Sequence, residues 1–386
     1  MKRIVIFTIC IISNQIISQT KLKKTDNKID SIQKLDEVII NSNLIFGNKF
    51  VASNRTGSAY YISPKELKKF SFTDINRALR SVPGVNIYEE DGFGLRPNIS
   101  LRGTSPERSS KITMMEDGVL IAPAPYSASS AYYFPTIARM EAVEVLKGSS
   151  QIQFGPFTTG GAINMISNQI PESFSGRIRS SYGSFNSSQF HAIIGDNMNN
   201  FGYSLEYLNY GSDGFKKLSN DQNTGFNKND IVLKFKVNLF PKLVVKHALD
   251  IKLQYSDEES NETYLGLTDD DFNTNPFNRY DGSAVDLMKN IHKQIVLTHT
   301  VDFTKNFRIT TNAYHNYFRR NWYKADYITF DGDRQSIGNV FGNQNNFINH
   351  LSFAKGEINS DGDDFMNVRA NNRVYNSKGI QTKFDY

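Results

Sequence analysis

The sequence contains a single cysteine and, beyond its first residues, no long apolar run. Cys10 lies inside the apolar stretch Ile4–Ile17, which follows the basic residues Lys2 and Arg3. A basic start followed by a short apolar segment is typical of a secretory signal peptide, and we assign it to residues 1–19. The mature chain would then hold no disulfide framework. It also holds none of the roughly 20-residue apolar segments that a membrane-spanning helix needs.

Tryptophan is equally scarce, with one residue against 28 phenylalanines and 19 tyrosines. Many phenylalanines and tyrosines favour extended β structure with aromatic surfaces. The six histidines are scattered without metal-ligand spacing, and neither a serine elbow nor a phosphate loop is present. The net charge of +5 comes from dispersed residues rather than from a basic arm. The sequence therefore predicts no enzymatic activity, no cofactor, no metal site of its own and no nucleic-acid partner.

Residues 20–44 are polar and rich in lysine, without periodicity, and predict a flexible linker. Within this linker, Leu35–Ile40 (LDEVII) is a short β-prone run. It could be the first strand of the next domain. It could equally be a tethered strand that adds to the edge of a partner's sheet through main-chain hydrogen bonds.

Residues 45–167 combine short helix signals with glycine-punctuated strands, which predicts a small α+β domain. Ser63 before Pro64 is typical of a helix start. Thr73–Arg80 predicts a second short helix with Ile75 and Leu79 on one face. Strands are predicted where β-branched runs end at turn residues. These runs are Ile99–Gly103, Lys111–Val119, Glu141–Leu146 and Ala162–Ile166.

Residues 168–386 alternate apolar and polar side chains in repeated segments, which predicts a transmembrane, antiparallel β-barrel. In Ile231–Leu239, for example, the odd positions are apolar whereas Lys234, Lys236 and Asn238 are polar. A soluble sandwich with one wet face is the alternative. Short turns alternate with long loops, as barrels require. The pattern predicts eight strands, near 176–183, 187–195, 201–210, 230–239, 247–256, 291–303, 307–319 and 374–386.

Several motifs in a fixed order resemble the TonB-dependent outer-membrane receptors of Gram-negative bacteria. They are Leu35–Ile40, Leu79–Val85, Leu101–Gly103, Met115–Val119, Glu144–Gly148 and Gly160–Asn164. Within that family the chain resembles the ferric-citrate type most, through Arg102–Pro106, Ala124–Tyr126 and Phe154–Pro156.

The resemblance implies that residues 45–167 are a plug domain inside a barrel. Leu35, Asp36, Glu37, Val38, Ile39 and Ile40 would be the TonB box, and the partners would be TonB with its inner-membrane energising complex, a ferric chelate and outer-membrane lipid. Family barrels have about 22 strands, and eight strands are too few to surround a plug. We therefore expect residues 168–386 to be only the N-terminal part of the barrel in a truncated chain.

The ligand would be a ferric chelate, and an anionic chelate favours arginine because the guanidinium fork matches carboxylates. Alternation with Asn312 and Asn316 points Arg320 inward, whereas the family resemblance favours Arg319. Arg334 is a further candidate in the loop that follows. The plug would offer its apices near Asp91–Gly94 and Tyr126–Ser130. The predicted binding residues are Tyr126, Ser127, Ser129, Ser130, Arg319, Arg320 and Arg334.

Two further groups of charges have competing interpretations. Glu206, inward by alternation, could form a buried ion pair with a plug cation, namely Arg102, Arg139 or Lys147, or it could be a solvated lumen carboxylate. The acidic loop with Asp257–Glu259, Glu262 and Asp269–Asp271 could hold a divalent cation or be a solvated outer loop.

The sequence thus predicts TonB-dependent import of ferric citrate or a related siderophore across the outer membrane. Receptors for another substrate, such as cobalamin or a glycan, are the alternative within transport. A non-transporting surface adhesin or a receptor fragment is the alternative outside it.

Overall fold

A computed structural model describes residues 44–386 except 56, 71–73, 128, 149–153 and 156–158. These residues all belong to the unit Glu37–Tyr386. The predictions of a signal peptide, a flexible linker and a TonB box at Leu35–Ile40 concern residues outside the described part of the chain.

The first part of the chain is an α+β domain built on a mixed five-stranded sheet. The sheet has the order β1-β6-β7-β4-β5, and β2 pairs with β3 in a separate hairpin. Strands β6 and β7 are antiparallel neighbours, and β4 pairs with β7 in parallel. The elements are α1 Lys49–Asn54, β1 Ser58–Ile62, α2 Pro64–Phe70, α3 Ile75–Leu79, β2 Val85–Tyr88, β3 Asn98–Leu101, β4 Ile112–Glu116, β5 Val119–Leu120, β6 Met140–Lys147 and β7 Gly161–Ser167.

The local signals that predicted the two helices are present in the structure. Ser63 and Glu66 exchange backbone and side-chain hydrogen bonds at the start of α2, which is a capping box. Asp74 caps α3 by accepting from the N–H of Asn76 at 2.7 Å. Ile75 and Leu79 are both buried, as their spacing predicted. The helix α1 was not predicted.

The core of this domain is apolar and lies between the sheet and the helices. Burying such side chains contributes roughly 25 cal/mol per Å² of apolar surface. One cluster includes Ile62, Leu79, Ile99, Met114, Val143 and Ile163, and a second includes Phe46, Tyr61, Met115, Leu146 and Ile166. Strands β6 and β7 contribute to both clusters, so they form the centre of the domain.

The second part is one antiparallel sheet of eight long strands, in sequence order from β8 to β14 and then β16, with the short β15 paired to β14. All eight predicted strands are present. Each of them begins earlier or ends later than predicted, and the largest differences are in the last two, which reach Phe330 and begin at Phe365. The elements are β8 Ser175–Gly183, β9 Ser187–Met198, β10 Phe201–Ser212, β11 Phe226–Leu239, β12 Lys246–Asn261, α4 Asp269–Thr274, β13 Leu287–Thr304, β14 Phe307–Phe330, β15 Asp333–Ser336, α5 Ile337–Gly342, α6 Ile348–Lys355 and β16 Phe365–Asp385.

The two faces of this sheet differ as the alternation predicted. Ile231, Ile295 and Leu297 are exposed on the outer face, whereas Lys252 and Gln254 are buried on the inner face against the plug-like domain. Short turns after β9, β11 and β13 alternate with long connections after β10, β12 and β14. None of the described helices is long and apolar enough to cross a membrane.

Candidate functional site

Arg320 lies on the inner face of β14. Residues 312, 314, 316, 318 and 320 are buried in turn, so period-2 alternation carries the side chain of Arg320 inward. Arg320 is 1% exposed, and its strand neighbour on β13 is Asn290. Arg319 is exposed on the outer face. Arg320 therefore points inward, as alternation predicted, and Arg319 does not reach the inner face.

The guanidinium of Arg320 is stacked on aromatic rings rather than paired with an acid. Its Cζ lies 3.6 Å from the ring centroid of Tyr132 in the plug-like domain and 5.6 Å from that of Trp322. Among the described residues, no carboxylate lies within ion-pair distance of it, and its Nε and Nη1 have no hydrogen-bond partner. A buried cation in this state carries an uncompensated desolvation cost.

Two more cations and one more ring extend this arrangement. The Cζ of Arg108 lies 5.8 Å from the Tyr132 centroid, and the Nζ of Lys324 lies 4.6 Å from the Trp322 centroid and 4.5 Å from that of Tyr264. Only Arg108 has an acidic partner, Glu90, which accepts two bonds of 2.6 Å. We call Arg108, Tyr132, Tyr264, Arg320, Trp322 and Lys324 the cation–aromatic cluster.

Most members of this cluster were missed in the sequence. The sequence could have predicted Trp322, because the alternation that points Arg320 inward places Trp322 on the same face. Tyr132 and Arg108 come from a different domain, and no local pattern connects them to β14.

The other predicted binding residues are not members of the cation–aromatic cluster. Tyr126 is 67% exposed and Ser127 is exposed. The hydroxyl of Ser129 donates to the carbonyl of Ser110 at 2.8 Å, and Ser130 is half-buried. Arg334 is exposed on β15, with its Cζ 4.2 Å from the ring centroid of Tyr327. Arg334 was predicted in a loop, but β14 continues to Phe330 and pairs with β15 in a hairpin.

The predicted apex near Asp91–Gly94 is a tight turn held by one carboxylate. Asp91 accepts from the backbone N–H groups of Phe93 at 2.6 Å, Gly94 at 2.7 Å, and the two residues that follow. Gly94 has a φ of +76°, and a Cβ there would come within 2.0 Å of Asp74 Oδ1. Phe93 packs against Phe226 of β11, with ring centroids 4.8 Å apart. The turn therefore contacts the start of β11, beside a long connection.

A second group of contacts joins the two domains deeper in the structure. Arg139 donates to both oxygens of Glu116, at 2.6 and 3.0 Å, and its Nε lies 3.1 Å from Asp230 of β11. The Nζ of Lys252 on β12 lies 2.6 Å from Glu116 and 2.7 Å from Asp117. All five side chains are buried. We call Arg139, Glu116, Asp117, Asp230 and Lys252 the buried ion network.

The charges of this network set the ionisation of Glu116. Burial by itself would raise the pKa of this carboxyl, but the adjacent Arg139 and Lys252 outweigh burial and lower the pKa to about 2. The same balance, with Lys252 and Lys234, holds the pKa of Asp117 well below its usual range. Both carboxyls are therefore ionised at neutral pH and hold the barrel lysines.

The structure corrects the prediction for Glu206. Its Oε1 lies 2.6 Å from Nε2 of His191 and accepts from the side chain of Asn168 at 2.7 Å, so Glu206 pairs with no plug cation. Arg139 does bridge the domains, but through Asp230, because β11 rather than β10 lies opposite it. Lys147 donates to the carbonyl of Pro83, and Arg102 is exposed.

The carboxylates of the acidic loop do not converge on one point as the ligands of a cation would. Glu258 and Glu262 both bind Arg96 of the plug-like domain, at 2.8 and 3.0 Å. Asp271 pairs with Lys355 of α6 at 2.8 Å. Within the described ranges, no group of three or more histidine, cysteine or acidic side chains could hold a metal ion. These acids hold the plug-like domain and the outer loops instead.

Comparisons with known proteins agree with this architecture. Residues 52–162 match the family described as TonB-dependent Receptor Plug Domain. Among solved structures, the chain is similar to the ferric citrate transporter FecA in its unliganded form, at 21% identity and a TM-score of 0.63, over 75% of this chain and 44% of FecA.

Two further structures are similar at the level of the fold. The ferric yersiniabactin uptake receptor FyuA from Yersinia pestis matches at 18% identity and a TM-score of 0.59, over 71% of this chain and 42% of FyuA. The ferric-catecholate import receptor Fiu from E. coli K12 matches at 16% identity and a TM-score of 0.58, over 86% of this chain and 46% of Fiu.

The chain thus spans less than half the length of these solved proteins. Residues 52–162 carry the plug domain of the TonB-dependent receptors, and an antiparallel sheet of eight long strands follows it. The similarity of the chain to the solved structures lies in this fold.

Proposed function

We propose that this protein imports an anionic ferric chelate across the outer membrane of a Gram-negative bacterium, driven by TonB, and that the chelate binds at the cation–aromatic cluster. The observation that carries the proposal is Arg320, a buried guanidinium without an acidic partner among the described residues. Its two unsatisfied nitrogens need acceptors. Carboxylate or phenolate oxygens on a chelate would supply them.

The aromatic rings support an anionic ligand as well. Tyr132 and Trp322 fix the plane of the guanidinium by stacking, so its free N–H groups are oriented before a ligand arrives. Preorganisation of this kind reduces the entropy lost on binding. The three similar receptors are each named for a ferric chelate, which favours this ligand class. Ferric citrate or a related siderophore is the ligand that we propose.

Arg320→Gln tests the site, with Arg319→Gln on the outer face as its matched control. Losing charge-assisted hydrogen bonds worth about 1.5–3 kcal/mol should weaken chelate binding about tenfold to a hundredfold. Arg319→Gln should bind as the unmodified protein does. Trp322 is the only tryptophan in these 386 residues, so its fluorescence reports occupancy directly. Equal affinity in the two variants, measured by this quenching and by calorimetry with a panel of chelates, would refute the site.

The energised step is proposed to begin at Leu35–Ile40, which lies outside the described residues. If TonB adds to this segment as a strand, Val38→Pro removes one ladder donor and should abolish uptake while chelate binding is retained. Uptake that continues unchanged in this variant would contradict TonB coupling through the segment.

A further inference from the structure

Glu144 in β6 holds the backbone of the chain just after the predicted TonB box. Its Oε1 accepts from the N–H groups of Phe46 at 2.7 Å and Gly47 at 2.9 Å. Its Oε2 accepts from the N–H of Ile45 at 2.8 Å and from the side-chain amide of Asn164 at 2.8 Å. Gly47 has a φ of +76°, which lets consecutive N–H groups converge on one carboxylate.

These four donors are the compensation for a buried charge. Glu144 is 0% exposed, and among the described residues no lysine, arginine or histidine lies within ion-pair distance of it. Releasing residues 45–47 would remove three of its four donors and leave a carboxylate buried in the apolar centre of the plug. The segment is therefore held more firmly than three ordinary backbone hydrogen bonds would hold it.

The same carboxylate is connected to the buried ion network. Asn164, which donates to Glu144, accepts from the N–H of Gly118 at 2.9 Å. The neighbouring Asp117 binds Lys252 of the barrel wall at 2.7 Å and the hydroxyl of Ser167 at 2.5 Å. A continuous path of hydrogen bonds thus runs from residues 45–47, through β6 and β7, to the barrel.

Without this carboxylate, a pull from the N-terminus would act next on β1. That strand lies at the edge of the sheet and pairs with β6 from Ser58↔Lys147 to Ile62↔Val143. Pulled from its N-terminal end, an edge strand opens one residue pair at a time, which offers little resistance. Among the described residues, the Glu144 contacts come before this strand in the chain, so they would resist a pull on residues 35–40 before β1 does.

We propose that Glu144 and the N–H groups of residues 45–47 form a clasp that sets the force at which the plug begins to unfold. This inference rests on the proposed TonB-driven function, since the force would come from TonB. Glu144 acts here as a positioning residue: it contacts neither ligand nor TonB, and it transmits tension into the strand at the centre of the plug.

Single-molecule pulling on the full chain tests the clasp, with the protein in a lipid bilayer and a handle at its mature N-terminus. In Glu144→Gln the amide places its own N–H group opposite one of the existing donors, and that hydrogen bond is lost. The first rupture event should therefore occur at lower force. Later events should be unchanged. Glu107→Gln, an exposed glutamate on the same domain, should rupture as the unmodified protein does. An unchanged first event in Glu144→Gln overturns the proposal.

Hydrogen exchange and chelate binding distinguish loss of the clasp from general destabilisation, and they test the clasp independently of the proposed function. In the unmodified protein the amides of residues 45–47 should be protected from hydrogen exchange, and in Glu144→Gln they should exchange about tenfold to a hundredfold faster. Unprotected amides in the unmodified protein overturn the clasp without any variant. Chelate binding should be retained in Glu144→Gln. If the unmodified protein shows no TonB-dependent uptake, the proposed function is contradicted. The rupture forces of the two proteins can still be compared, because the pulling experiment does not depend on uptake.

If Glu144→Gln does not insert, hydrogen exchange at the amides of residues 45–47 in the unmodified protein decides the proposal by itself.

Discussion

The plug contacts the barrel wall in two regions that treat buried charge in opposite ways. In the buried ion network, Arg139 and Lys252 are fully matched by Glu116, Asp117 and Asp230. In the cation–aromatic cluster, Arg320 is equally buried and is stacked on rings without an acid. The first region is complete within the protein, whereas the second lacks a partner that an anionic ligand would provide.

This difference separates anchoring from binding. Breaking a buried pair by removing one partner is strongly destabilising, because the remaining charge stays buried. A charge that is already unmatched lowers stability in the free receptor, and proteins retain such costs mainly at functional sites. The variants below alter one region at a time and are ordered from the largest expected effect to the smallest.

Glu116→Gln should give the largest loss of stability. It leaves Arg139 and Lys252 without their shared carboxylate, at an expected cost of about 3–5 kcal/mol. Thermal unfolding in detergent measures the loss, and Glu107→Gln is the control. Because the pKa of Glu116 is lowered to about 2, its contribution is fully present above about pH 4.5 and is lost as the pH falls through about 2. A loss no larger than that of the control would show that the network does not anchor the plug.

Asp74 is a buried plug carboxyl whose pKa is raised, and it should show the opposite pH dependence. Burial, with Asp91 and Glu89 nearby, raises its pKa to about 6 despite the hydrogen bond from Asn76. The folded state then binds a proton that the unfolded state releases, so stability should increase as the pH falls from 7 to 4. Asp74→Asn keeps an N-cap acceptor and should remove this component from melting curves. Identical pH dependence in both proteins would exclude it.

Arg320→Met should stabilise the protein without ligand while weakening chelate binding about tenfold to a hundredfold, as Arg320→Gln does. Removing an unsatisfied buried cation should raise the free energy of unfolding by about 1–3 kcal/mol. Chemical denaturation of the variant and the parent, each without ligand, measures the difference. Arg319→Met on the outer face is the matched control and should change little. A destabilised Arg320→Met would mean that this guanidinium is satisfied in the free protein.

Trp322→Phe should have the smallest effect. An aromatic ring is kept near Arg320, whereas the indole N–H, which has no hydrogen-bond partner among the described residues, and part of the buried ring volume are removed. The free energy of unfolding should fall by about 1 kcal/mol, and chelate affinity should change by less than about threefold, measured by calorimetry because the fluorescent residue is gone. A large loss of affinity would show that the indole N–H itself binds the ligand.

Much of the fold was predictable because its signals are local. The alternation along β11 and β12 follows because one face of the sheet is exposed and the other packs against the plug-like domain, and the same rule placed Arg320 inward. Strand ends were less accurate: β14 continues to Phe330, well past the predicted end near residue 319. The residues of β14 past residue 319 remain in strand through pairing with β13, β15 and β16, which the apolar alternation does not report.

The partners of buried charges were not predictable in the same way. Glu206 was a candidate for an ion pair with the plug and instead pairs with His191 of the adjacent strand β9, while Arg139 pairs with Asp230 of β11. The Arg139–Asp230 contact joins residues 91 positions apart, and which strand lies opposite a given plug residue depends on how the domain sits against the sheet.

The sequence by itself determined the order of the strands and the plug domain: period-2 alternation sets the strands of the second part, and the ordered motifs of residues 45–167 match the plug pattern. Tertiary structure decided which charges are matched. Glu144 was part of a glycine-broken β pair in the sequence, and only the folded chain brings residues 45–47 onto its carboxylate. Periodicity is a property of neighbouring residues, whereas compensation of a buried charge depends on donors brought from distant parts of the chain.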